Sequence, residues 1–128
     1  MSKSETIPKA RNTKTTKLYD LEERTFLFAK RVRQCIKSLP KTQTNFEDVK
    51  QLTRSSGSVA ANYIEANEAL SKKDFLHRIK ISRKEAKEIT LWLKLIDVSA
   101  DQDSIHQDIL RESTELMKIF GAIISKSS

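Results

Sequence analysis

The sequence predicts an all-α protein, an antiparallel up-and-down four-helix bundle, and three observations carry that reading. Apolar residues recur at about 100° per residue in four separate segments of similar length. Each segment is bounded by residues that start or stop helices. Only two glycines and two prolines occur in 128 residues, which leaves little turn chemistry for a sheet-rich fold. A content of 32% charged and 38% apolar residues suits amphipathic helices. This length fits one domain whose core needs neither disulfide nor metal.

Residues 1–18 are rich in Lys, Thr and Ser with no apolar period, and read as a flexible basic arm before a bundle domain at 19–128. Asp20 can cap a first helix from Leu21 to Leu39, stopped by Pro40. Its core stripe is Leu21, Phe28, Ala29, Val32, Cys35, Ile36 and Leu39. Thr44 and Glu47 have the spacing of a capping box for the second helix. The inner stripe there runs Val49, Leu52, Ser56, Val59, Ala60, Tyr63 and Leu70, keeping phase across Ser55-Ser56-Gly57-Ser58. Small residues in mid-helix lower helix propensity but let two helices approach closely.

Ser71 and Asp74 start a third helix that runs to about Ile96, with Phe75, Ile79, Ser82, Ala86, Ile89, Leu93 and Ile96 inside. A polar connection, Asp97 to Gln102, leads to a fourth helix over Ser104–Ile124. Its inward residues are Ile105, Ile109, Leu116, Ile119, Phe120 and Ile123. Four helices of roughly 20 residues joined by short loops are the sequence form of such a bundle.

Candidate chemistry is thin. Bundles can hold di-iron sites built from glutamates and Glu-x-x-His pairs. Here Glu65/Glu68, Glu85/Glu88 and Glu112/Glu115 stand at i, i+3 without such a histidine, so they read as solvated faces and no metal is expected. Cys35 lies on an apolar stripe with no histidine near it in sequence and reads as a small core hydrophobe. Gly-rich phosphate loops and zinc spacings are absent, so neither a cofactor nor enzymatic activity is predicted. A single cysteine, no apolar run near the roughly 20 residues that span a bilayer, and a polar N-terminus predict a cytoplasmic, non-membrane protein.

The net charge is +7, and four of those charges sit in the first nineteen residues, where Lys3, Lys9, Arg11, Lys14 and Lys17 face only Glu5. Basic helix faces follow: Arg24, Lys30, Arg31 and Arg33 on the first helix, and Lys73, Arg78, Lys80, Lys84 and Lys87 on the third. Cations of this kind attract polyanions through counterion release. A polar row on the second helix, Arg54, Ser58, Asn62 and Glu65, lies off that helix's core stripe beside small Gly57 and Ala61. It predicts that another helix, or another chain, packs there. Phe26, Leu27, Leu91, Trp92 and Leu95 exceed what one core stripe needs, and excess apolar surface marks a subunit interface.

Several stretches together resemble one family: Tyr19-Asp20-Leu21-Glu22-Glu23-Arg24-Thr25-Phe26, Leu39-Pro40, the run from Gln51 to Glu65, Ser71-Lys72-Lys73-Asp74-Phe75, and Lys84-Glu85-Ala86-Lys87-Glu88 leading into Leu91-Trp92-Leu93. The chain is similar to the four helix bundle proteins, also called 23S rRNA intervening sequence proteins, from about residue 18 onward. Arg54, Ser58, Asn62 and Glu65 match the most specific signature. Many members carry glycine after that glutamate, where this chain has Ala66. The resemblance implies a homopentamer without catalytic activity. That family is in turn similar to the accessory variability determinant of diversity-generating retroelements, a pentameric barrel that works with a reverse transcriptase and its template RNA.

The expectation that results is a non-enzymatic, ring-forming bundle that binds structured RNA or an RNA–protein complex through its basic faces. Its partners would be copies of itself, RNA, and a protein such as a reverse transcriptase. The rival is an adaptor for an acidic protein partner.

Overall fold

A computed structural model describes residues 20–127, and the basic arm expected at 1–18 lies outside them. Four helices form: α1 Leu21–Lys37, α2 Gln43–Asn67, α3 Lys72–Leu95 and α4 Asp103–Ser127, the last entered through a 3-10 turn at Ala100–Gln102. Among the described residues there is no strand. Cross-helix bonds fix the topology. Glu22 meets Asn67 while Arg33 meets Ser56, so α1 and α2 run antiparallel. The pairs Asn62–Arg78 and Arg54–Glu85 do the same for α2 and α3, and Arg24–Glu112 with Ser38–Gln102 for α1 and α4. Helices touch only in the ring order α1–α2–α3–α4, tightest at α2–α3 and loosest where α1 closes against α4.

The periodic stripes form the core. Phe28, Val32, Leu52, Val59, Ile79, Ile89, Leu93, Ile109, Leu116 and Phe120 are at most 1% exposed. Burying each of these side chains stabilises the fold by roughly 1.5–3 kcal/mol before entropy is counted. Serines share the interior: Ser55, Ser56, Ser82 and Ser113 are fully buried. Ser82 Oγ donates to the Val59 carbonyl across the α2–α3 seam at 3.0 Å, which only a short side chain permits. Helix α2 stays continuous through Gly57, as its unbroken period predicts. A Cβ there would lie 3.3 Å from Arg33 Nη2, so glycine leaves room for the guanidinium.

Several boundaries differ from expectation. The α2 cap is Thr42, not the Thr44–Glu47 box: Thr42 is extended and its Oγ1 accepts from the Asn45 N–H at 3.1 Å. Thr44 therefore falls inside the first turn, and Glu47 instead lies 3.6 Å from Lys50. Asp20 makes no side-chain cap bond, whereas Ser71 caps α3 through the Asp74 N–H as its sequence predicts. Leu70 is wholly exposed because α2 ends at Asn67 and the period no longer applies. Ile105, in the first turn of α4, is also exposed.

Asn45 ties one end of the bundle together. Its buried side chain donates to the Pro40 and Asp97 carbonyls at 3.1 and 2.9 Å and accepts from the Asp97 N–H at 2.9 Å. One amide thus satisfies backbone groups of both loops at that end. Asn45→Ala is expected to cost about 2–3 kcal/mol, three bonds being lost and buried partners left unpaired. Urea unfolding followed by circular dichroism measures it.

Candidate nucleic-acid interface

Helix α3 supplies the largest open set of cations because of how its acids are disposed. Lys73, Lys80, Lys84, Lys87 and Lys94 follow one another at spacings of three, four or seven, so they share the side of α3 away from the core. All five are exposed, and among the described residues none is hydrogen-bonded through its ammonium group or ion-paired. Arg83 joins them from the α4 side, its Nε 3.9 Å from where a Cβ on Gly121 would lie. At about 1.5 Å rise per residue the ridge from Lys73 to Lys94 is roughly 31 Å long.

Glu85 and Glu88 of α3 are held away from that ridge by α2. Arg54 donates from Nη1 to Glu85 Oε2 and from Nη2 to Glu85 Oε1 and Glu88 Oε1, each at 3.2 Å. These bonds push the Arg54 guanidinium further up from its ordinary range, Glu85 being the larger cause. Glu85 is buried, so the reading of Glu85/Glu88 as a solvated face is corrected for that residue. The same correction holds for Glu112, which receives Arg24 in a two-point pair at 2.7 and 2.9 Å between α1 and α4. Its hydrogen bond raises the Arg24 pKa more than burial lowers it.

The polar row on α2 resolves accordingly. Arg54 turns to α3, and Asn62 accepts from Arg78 Nη1 at 3.0 Å while its own amide holds Ser58 Oγ and the Ser58 carbonyl. Glu65 lies exposed and does not meet Arg54 within the chain. The helix that packs on the row is α3 of the same chain.

The nine cations expected on the basic faces of the first and third helices therefore separate into held and open ones. Arg24, Arg33 and Arg78 are held by hydrogen bonds across helix seams, Arg33 by the Ala29 and Thr53 carbonyls and Ser56 Oγ. Lys30 stands 5.9 Å from the centre of the Phe26 ring, and Arg31 is exposed without a partner. Lys73, Lys80, Lys84 and Lys87 remain on the α3 ridge. Arg83 and Lys94 were missed by sequence reasoning, although Lys94 continues the same register seven residues beyond Lys87.

The model of the 23S rRNA-intervening sequence protein family matches residues 18–125. The chain belongs to this family. It is also similar to a solved structure, a protein of unknown function from the S23 ribosomal protein family of Bacteroides thetaiotaomicron. The two are 33% identical, the match covers 85% of this chain and 98% of that one, and the TM-score is 0.73. No curated protein matches the chain.

His106 and Cys35 of this family member are enclosed. His106 is buried with Nε2 against the Leu93 carbonyl, joining α4 to the end of α3. Among the described residues no group of three or more His, Cys, Asp or Glu is placed to hold a metal ion, and no helix is long and apolar enough to cross a membrane. Cys35 is buried, and desolvation pushes its thiol above the ordinary value of 9.0. The folded chain thus keeps this proton where the unfolded chain loses it. The resulting stability is complete below pH 9 and falls as pH rises through the raised value. A disulfide reagent at pH 8 is expected to label the native protein far more slowly than protein unfolded in guanidinium.

Arg54→Ala should lower stability by about 1–2 kcal/mol, less than a fully buried pair would because Arg54 is half-exposed. Glu85→Leu made in addition should recover most of that loss, since no buried carboxylate is then left alone. Chemical denaturation of the two variants checks both.

Proposed function

We propose that this protein is a non-enzymatic homo-oligomeric bundle, a pentameric ring, that binds structured RNA or an RNA–protein complex, such as a reverse transcriptase with its template, through cationic helix faces. The observation that carries the reading is the α3 ridge, a row of unpaired lysines whose neighbouring carboxylates are turned toward α2 by Arg54. An unopposed row of ammonium groups is suited to phosphates, because each contact releases counterions. The family's description, 23S rRNA-intervening sequence protein, and the relative's S23 ribosomal protein family name point to the same kind of partner.

Aromatic residues make up only 6% of the chain, and the ridge has none between Lys73 and Lys94 except Phe75 and Trp92, both half-buried. Base stacking therefore has no platform on the ridge, and recognition there rests on backbone and shape. Exposed Leu91 and Leu95 beside half-buried Trp92 supply apolar surface of the sort a subunit contact covers. In a ring, weak contacts to one RNA add through multivalency.

Binding of purified protein to a structured RNA over a salt series tests the proposal, with double-stranded DNA alongside. Affinity is expected to favour RNA and to fall steeply with salt. Lys84→Glu combined with Lys87→Glu should weaken it by on the order of tenfold or more and flatten the salt slope by about two. No binding at physiological salt, or an unchanged affinity in the variant, would overturn it and favour an adaptor for an acidic protein.

A further inference from the structure

One segment of this basic chain runs against its overall charge. From Asp97 to Leu110 there is no Lys or Arg, and Asp97, Asp101, Asp103 and Asp108 all fall there. Its exposed large hydrophobic is Ile105, 46% exposed in the first turn of α4. Asp101 at i−4 and Asp108 at i+3 share its side, because the 3-10 turn runs directly into the helix. Among the described residues Asp101 and Asp103 have no ion pair, while Asp108 is joined by Arg111. The result is an apolar knob in an acidic setting.

A recess of opposite character lies at the corner where α1 ends and α2 begins. It encloses about 350 Å³ and is walled by Ile36, Leu39, Pro40, Phe46 and Val49. Lys41 lines it, Lys37 closes the last turn of α1, and Lys50 stands 4.9 Å over the Phe46 ring. Among the described residues Lys37 and Lys41 are unpaired, and Lys50 is within 3.6 Å of Glu47. An apolar hollow with a cationic rim selects an apolar side chain flanked by carboxylates.

Three other exposed hydrophobics fit it poorly. Leu91 and Leu95 stand among Lys87 and Lys94, the same sign as the rim, and Phe26 lies under Lys30. Ile105 of the same chain is not among the residues that line the recess.

We propose that the acidic Ile105 turn of one copy docks into the basic-rimmed recess of a second copy. This assigns one contact of the homo-oligomer read above and rests on that reading. Knob and recess are different surfaces, so the contact is head-to-tail and propagates until a ring closes.

Two blocked variants test it. Ile105→Asp removes the knob's apolar tip, and Phe46→Glu removes a wall of the recess and repels the aspartates. Both positions are exposed, and circular dichroism verifies that each variant keeps its helix content. Light scattering is expected to give the wild type as a multiple of 14.7 kDa and each variant alone as a monomer at the same concentration. Mixed in equal amounts, the two should form a dimer, since the intact recess of the first accepts the intact knob of the second. Lys41→Glu should behave as Phe46→Glu does. A variant that keeps the wild-type mass, or a mixture that stays monomeric, overturns this contact while leaving the oligomer standing. A monomeric wild type overturns both.

Discussion

The close approach of α2 and α3 is the constraint on which the rest of the structure depends. Buried Ser55, Ser56 and Ser82 keep the two helices near enough for a side-chain hydroxyl to reach a backbone carbonyl on the facing helix. Larger residues at these positions would push α3 outward and open the core around Val59 and Ile79. Poor local helix propensity at Ser55-Ser56-Gly57-Ser58 is the cost of this geometry, and burial along a 25-residue helix offsets it. The same proximity brings Arg54 within reach of Glu85 and Glu88, so the packing of one seam also decides the charge pattern of another face.

Charge sorting follows from two arginines. Arg54 collects carboxylates of α3, and Arg24 collects Glu112 of α4. Each pair is partly exposed and contributes little to stability alone, since surface pairs are worth about 0–1 kcal/mol. Their larger effect is on the field outside the protein. With these acids turned toward neighbouring helices, the outer side of α3 keeps its lysines unopposed, and a modest net charge becomes a concentrated one. Arg33 and Arg78 act differently, as long donors that satisfy carbonyls, a hydroxyl and an amide across helix seams.

One end of the bundle is chemically unlike its middle. Where α1 meets α2 and α3 meets α4, Asn45 holds both loops to one another, and this fixes the relative position of a cationic apolar hollow and an anionic apolar turn. Such complementary surfaces on separate helices of one rigid unit are what a head-to-tail assembly requires.

Sequence alone determined the number of helices, their order, most of the core and the cap at Ser71, because these rest on periodicity and local backbone chemistry that neighbouring residues dictate. It also marked Arg54, Ser58 and Asn62 as a row that something must cover. Tertiary structure decided what covers it and which cations are free. Arg24, Arg33 and Arg78 look no different in sequence from Lys80 or Lys84, since whether a long cationic side chain meets a partner depends on a helix tens of residues away. Glu85 and Glu112 were taken for solvated acids for the same reason. Asn45 gave no signal, because its partners come together only when two loops meet. Leu70 and Ile105 mark the limit of periodicity itself: a helical stripe says which way a residue faces, and only the packed neighbours decide whether anything stands opposite.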